Sequence, residues 1–339
     1  MRTRWWVVVG IALISPLWPD RASAAVWQTC NGVPIDWGHQ PTVTRNRCSI
    51  PDTGDANQAY WNGVLQWAQL APLVGSYHST ASNDCSWDNR DGVNEIFLQD
   101  PQYMDGALGL SYVRTGTCFL NTPHIEEVDI AIRSSMSFSN PSPTSLGSEG
   151  RGTFLHEFGH FFGLLDENDR FGAMHQTPRP YTGGNQSAVP FGTDTQGIAV
   201  MYGWNNVRPN MVPSAMKLTG TTIGLHDAPA LVQACRGSAQ AVHFQLSNAG
   251  PATTSNYTVR IRLSTSQSAF GSGGVTAVSG TIAQAAYSSA KVTFNFSVPS
   301  TLANGTYRIY VDADPFNERP EVQEGDNSTV SAKLLLVNC

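Results

Sequence analysis

The sequence predicts an α+β domain followed by an all-β sandwich. Three observations carry that prediction. Between residues 55 and 166 an amphipathic helix, several strand-like runs and a second helix follow one another. The second helix holds His156-Glu157-Phe158-Gly159-His160, with two histidines four residues apart. From about Gly237 the chain turns to short runs rich in Val, Thr and Tyr, separated by Gly, Pro and Asn. A length of 339 residues suits two such domains, and the composition shift places them at 25–235 and 236–339.

Residues 1–24 stand apart. Arg2 and Arg4 make a basic start, Trp5 to Leu17 is an apolar run, and Ala22-Ser23-Ala24 is a small-residue cleavage site. This is the pattern of a secretory signal peptide, so the mature protein is expected outside the cell with no membrane span. Three of the 20 basic and one of the 26 acidic residues fall in that segment, leaving a net charge of −8. Such an acidic chain excludes nucleic acid as a partner. Six cysteines remain, an even count that suggests disulfides in an exported protein. Sequential pairing gives Cys30–Cys48, Cys85–Cys118 and Cys235–Cys339, the last tying the ends of the second domain together.

In chain order, residues 31–45 alternate β-formers and predict an opening strand. Asp55 to Leu70 has helical apolar spacing through Tyr60, Trp61, Val64, Leu65, Trp67 and Ala68. Asn94 to Gln99, Gly106 to Val113 and Glu126 to Arg133 read as strands, and the Ser/Pro-rich stretch from Ser137 to Gly147 as a loop. The segment after Asp166 is long and lacks regular pattern. A further helix is expected over Thr222 to Ala234.

The motif carries the chemistry. Four residues on a helix make one turn, so His156 and His160 can aim two imidazoles at one ion while Glu157 reaches a water beside it. Gly163 can take the left-handed conformation that ends a helix. Asp166 then follows as an oxygen ligand, and two His with one Asp leave a fourth position open, as a catalytic Zn2+ site requires. The bland reading of the five-residue pattern is two histidines packed on a helix.

The longer pattern, His156-Glu157-x-x-His160-x-x-Gly163-x-x-Asp166, resembles the metzincin metallopeptidases, in the snapalysin-type variant that ends in Asp. The resemblance implies a twisted mixed sheet with a zinc helix, one catalytic Zn2+ on His156, His160 and Asp166, and Glu157 as general base. It also implies a methionine turn beneath the metal. Met201 is the preferred candidate because an apolar run leads into it; Met174 is the alternative. Tyr202 is a weak candidate for the oxyanion, since the astacin-like spacing differs by one residue. His175 and Asp194 are rival third ligands. Glu167 and Asp169 form an acidic cluster that reads as a solvated loop, and nothing in the sequence supports Ca2+ there.

The second domain resembles the bacterial cell-adhesion-related sandwich, an immunoglobulin-like fold, through LSNAGPATTSNYTVRIRLS, VPSTLANGTYRIYVDAD and PEVQEGDNS. Strands are expected over Ala241 to Ser247, Thr258 to Leu263, Lys291 to Val298, Thr306 to Ala313 and Val330 to Val337. The acidic run from Asp312 to Asp326 reads as a solvated edge. Taken together, the residues and resemblances lead to a secreted zinc endopeptidase acting on protein or peptide substrates. The alternatives are a zinc amidase, or an adhesin or polysaccharide-binding protein with a vestigial metal site.

Overall fold

In the computed structural model, the described residues are 27–39, 41–68, 78–82, 91–116, 124–139, 149–166, 173–174, 192–203, 208–214, 217–219, 222–225, 231–266, 273–321, 324 and 327–339. The expected signal peptide lies outside them. Among the described residues, each half of the chain has one large hydrophobic core.

The first half begins with a two-residue hairpin, β1 (Thr29–Cys30) and β2 (Val33–Pro34). There follow β3 (Thr42–Asn46), α1 (Asp55–Ala68), β4 (His78–Ser82), β5 (Glu95–Gln99), β6 (Gly109–Thr115), β7 (Ile125–Arg133), α2 (Glu149–Phe161) and α3 (Gly192–Tyr202). The strand expected over 31–45 is therefore shorter, and only β3 joins the main sheet. The sheet runs β4-β3-β5-β7-β6. Four strands are parallel, and β6 pairs antiparallel with β7 at the edge. Alternation along β7 puts Val128, Ile130 and Ile132 in the core beneath the helices.

α1 and α2 pack closely because Gly63 faces Phe154 and Phe158; a Cβ there would lie 2.9 Å from the Phe158 ring. Two indoles pin α2 to its surroundings. Trp67 donates to the Leu155 carbonyl at 2.8 Å and Trp37 to the Phe161 carbonyl at 2.7 Å. Buried Phe154, Phe158, Phe161 and Phe162 fill the space between, so the motif helix is anchored by bulky rings on its inner side. α3 was not legible as a helix in the sequence. Gly192 and Gly197 lower its propensity, and it is held by packing rather than composition.

The second half contains β8 (Met211–Ser214), β9 (Lys217–Thr219), β10 (Thr222–Leu225), β11 (Leu231–Ala234), β12 (Ala239–Asn248), β13 (Tyr257–Ser264), β14 (Val275–Ile282), β15 (Ser288–Ser297), β16 (Gly305–Ala313) and β17 (Ser328–Val337). One sheet runs β15-β12-β10-β9, with β8 also pairing with β12; the other runs β11-β17-β16-β13-β14. Side chains of both, among them Phe244, Phe294, Ile261, Ile309 and Leu335, share one core. This is a β-sandwich.

Two expectations are corrected here. The helix expected over Thr222 to Ala234 is not seen among the described residues of that range, which supply β10 (Thr222–Leu225) and β11 (Leu231–Ala234). Gly224 and Pro229 disfavour a helix, and β-branched Thr222, Ile223 and Val232 favour strands. The boundary expected at 236 also falls inside the sandwich. β8 pairs with β12 through Met211↔Asn248, so the sheets draw in chain from Met211 onward. Cys235 and Cys339 form the expected disulfide, closing a separation of 104 residues. Cys30 and Cys48 are each disulfide-bonded, but the expected bond between the two is not seen among the described residues; Cys85 and Cys118 lie outside them.

The acidic run at the end of β16 is a solvated edge only in part: Glu318 and Glu324 are exposed, whereas Asp312, Asp314 and Glu321 are buried. Asp312 pairs with Arg260 and Arg262, and Asp314 accepts from the backbone N–H groups of Glu318 and Arg319 at 2.7 Å. Glu318 accepts from the Thr258 N–H at 2.6 Å, and Glu321 from Met211 and Asn327. These carboxylates cap backbone at one end of the sandwich.

Candidate metal centre

The end of α2 determines the geometry. Gly163 has φ +88°, the left-handed value that a side chain resists. Its N–H bonds to the His160 carbonyl at 2.9 Å, and the Leu164 N–H bonds to the Gly159 carbonyl at 3.1 Å. That pair is a Schellman cap, which stops the helix and reverses the chain. The reversal brings Asp166 back over the helix. A Cβ at Gly163 would also lie 2.9 Å from the Ile35 carbonyl, so position 163 is closed to other residues on two grounds.

His156 Nε2 lies 3.1 Å from Asp166 Oδ1, and His160 Nε2 lies 3.3 Å from the same oxygen. The three ligand atoms fall within 4.8 Å of one another, and no other described group of three His, Cys, Asp or Glu residues does so. Ligands about 2.0–2.1 Å from a tetrahedral zinc stand roughly 3.3 Å apart. The two His–Asp separations are of that size. The other ring nitrogens are also committed. His156 Nδ1 bonds to the Ala173 carbonyl at 2.9 Å and His160 Nδ1 to the Leu164 carbonyl at 2.8 Å. Each carbonyl fixes Nδ1 as the N–H, leaving the Nε2 lone pair aimed at the site.

Burial pulls the His156 imidazole down, but the hydrogen bond to Asp166 and the charge of Glu157 outweigh it, so its pKa is raised. Hydrogen bonds from His156 and His160 hold the Asp166 carboxyl well below the usual range. A divalent cation would compete with the proton for the His156 lone pair.

Glu157 is only 4% exposed and faces β6. Its Oε2 accepts from the Ser111 hydroxyl at 2.7 Å. A Cβ at Gly109 would overlap its Oε1. Neither Gly109 nor Ser111 was singled out in the sequence. The strand spacing put them on one face, but nothing local named that face as the one meeting Glu157.

Three sequence candidates take other positions. Met201 lies in α3 rather than in a turn. Met174 occupies the turn, is 1% exposed, and packs so closely on α2 that a Cβ at Gly159 would overlap its sulfur. Met174 packs against the motif helix at Gly159, and Met201 packs near Gly163 at its end. Asp194 is not a ligand. Its carboxylate accepts from the N–H groups of Ala173 at 2.7 Å and Met174 at 3.1 Å, fixing the carbonyl that orients His156. Tyr202 is buried, and its hydroxyl donates to the Phe162 carbonyl at 2.9 Å, so it serves the helix end rather than an oxyanion. Burial also raises its pKa. His175, Glu167 and Asp169 lie outside the described residues.

No protein family profile matches the chain, and no curated protein matches it. Among solved structures, a CARDB domain from Pyrococcus furiosus, in complex with di-metal ions, is 15% identical at a TM-score of 0.28, covering 40% of this chain and 99% of its own. A domain of a Methanosarcina acetivorans protein named for the cell surface is 19% identical at 0.27, covering 39% and 93%. A β-glucosidase from Listeria innocua in complex with glucose is 9% identical at 0.26, covering 94% and 48%. Similarity at this level leaves the functional assignment to the site itself.

Proposed function

We propose that this chain is a secreted zinc-dependent endopeptidase of the metzincin type. The observation that carries the reading is the convergence of His156 and His160 Nε2 on Asp166 Oδ1 at 3.1 and 3.3 Å, with both Nδ1 atoms spent on carbonyls. The order α1, β4 to β7, α2 and the Met174 turn support it as well. Zinc held by these three side chains would acidify a water molecule and polarise the scissile carbonyl. Glu157 takes the proton of the attacking water at Oε1 and passes it to the leaving amine. The anchored imidazoles keep their tautomer throughout, and the cap at Gly163 keeps Asp166 in place.

The test is casein hydrolysis by purified residues 25–339, with and without a chelator, beside Glu157→Gln. General-base removal should cost about 10²–10⁴ in rate, with zinc content unchanged. Zinc without any cleavage would favour an amidase. Absence of zinc would sink the enzyme reading. The sandwich then serves as the module that holds the enzyme at a surface or polysaccharide. Retention of full-length Glu157→Gln on cell wall or polysaccharide tests this second role.

A further inference from the structure

The geometry points to Gly109 and Ser111 of β6 as positioning residues that hold the Glu157 carboxylate in a single orientation. This rests on Glu157 acting as the general base. β6 is the edge strand of the sheet, antiparallel to β7. Strand alternation puts Gly109, Ser111 and Val113 on one face and Leu110, Tyr112 and Arg114 on the other. The first face meets α2. Ser111 Oγ donates to Glu157 Oε2 at 2.7 Å and lies 3.4 Å from the Glu157 carbonyl. At position 109 the missing side chain makes room for the acid. An added Cβ would overlap Oε1 and come within 2.6 Å of Cγ and 2.7 Å of Cδ.

The two residues therefore act as a pair. Gly109 lets the carboxylate lie against the strand backbone, and the Ser111 hydroxyl fixes which oxygen faces it. A hydroxyl donating to an anion is a strong, directional bond. With Oε2 occupied, Oε1 is the oxygen left to receive a proton. A glutamate has three rotatable bonds, and freezing them before the reaction removes an ordering cost from every turnover. Misplacing such a group by about 1 Å can cost roughly 100-fold in rate.

The experiment uses the full mature chain loaded with zinc. It compares Ser111→Ala, Ser111→Thr and Gly109→Ala with wild type for kcat, KM, zinc content and melting temperature. Ser111→Ala should lower kcat by roughly 10–100-fold and leave KM nearly unchanged. Ser111→Thr, which keeps the hydroxyl, should recover most of that loss. Gly109→Ala should lose more than Ser111→Ala, because it displaces the carboxylate itself; if it does not fold, the two Ser111 variants decide. Zinc content and melting temperature should stay at wild-type values in the Ser111 variants. An unchanged kcat in Ser111→Ala overturns the inference alone. So does a Thr variant as impaired as the Ala variant, or a loss of kcat that only tracks lost zinc or stability. A wild type without chelator-sensitive cleavage, or an active Glu157→Gln, overturns the general-base reading and this inference with it.

Discussion

Asp166 and Asp312 are both carboxylates shared between two nitrogen-bearing side chains, and the sequence offers each in an acidic run. Their surroundings differ. Asp312 is 1% exposed and meets permanent cations, Arg260 Nε at 3.1 Å and Arg262 Nη2 at 2.8 Å. Ser328 adds a further hydrogen bond at 2.8 Å. Asp166 has a side chain 45% exposed and meets two imidazoles, which become neutral acceptors once they lose a proton. The first arrangement is closed, because charge and hydrogen bonds are satisfied inside the fold. In the proposed function, the second is the one that would exchange a proton for a metal. An acidic residue is thus a ligand candidate when its partners are convertible and held by other bonds, and a structural one when they carry fixed charge.

Breaking the closed arrangement should have the largest effect on stability. Asp312→Ala leaves the Arg262 guanidinium, itself 2% exposed, without its counter-charge. Removing one partner of a buried pair costs about 3–5 kcal/mol. Urea unfolding should show that loss in the sandwich transition, with zinc binding unchanged. A change below about 1 kcal/mol would mean the pair is solvated and the contrast with Asp166 is not real.

A smaller effect is expected at the open site, acting through a residue that binds no metal. Asp194→Ala releases the N–H groups of Ala173 and Met174 and with them the carbonyl that holds His156 Nδ1. Loss of such outer support lowers metal affinity by about 10–100-fold. Competition with a chelator measures it. Asp194→Asn, which keeps one acceptor oxygen, should fall between. Wild-type affinity in both variants would show that the turn stands without Asp194.

The contrast also explains how far the sequence could be read. His156, His160, Gly163 and Asp166 were legible because helix geometry and one cap place all four, and no distant contact is needed. β5, β7, α1 and the strands from β12 onward were legible from periodicity, apart from β14. What failed depends on contacts between distant segments. Met174 and Met201 are equally apolar, and only the packing of Gly159 against residue 174 distinguishes them. Asp194 looks like a ligand until the backbone 20 residues upstream is seen to occupy it. β8, β10 and β11 are four-residue strands, too short to show alternation, and they exist because β12 and β17 offer them a partner.

Asp129 gives an effect that appears only as pH rises, and it tests whether a carboxylate without convertible partners stays structural. It is fully buried on β7, and its Oδ1 accepts from the Glu95 N–H at 2.9 Å. Its Oδ2 has no hydrogen-bond partner among the described residues. Burial, followed by the charges of Glu127, Asp91 and Glu95, raises its pKa to about 7, against an opposing contribution from the Glu95 N–H. Arg114, 3.5 Å from Glu127, is the cation on that side. The folded state therefore keeps a proton that the unfolded chain releases near its ordinary value of 3.8. More protons bound in the folded state mean that stability falls as pH rises from about 4 to about 7 and then levels off. Asp129→Asn keeps an acceptor for Glu95 and never ionises. It should match wild type near pH 4 and exceed it above pH 7, by roughly 1.4 kcal/mol for each unit by which the folded pKa is raised. Calorimetry at pH 4.5 and 8 measures the difference; an equal offset at both would show that Asp129 is ionised throughout and paired in some other way.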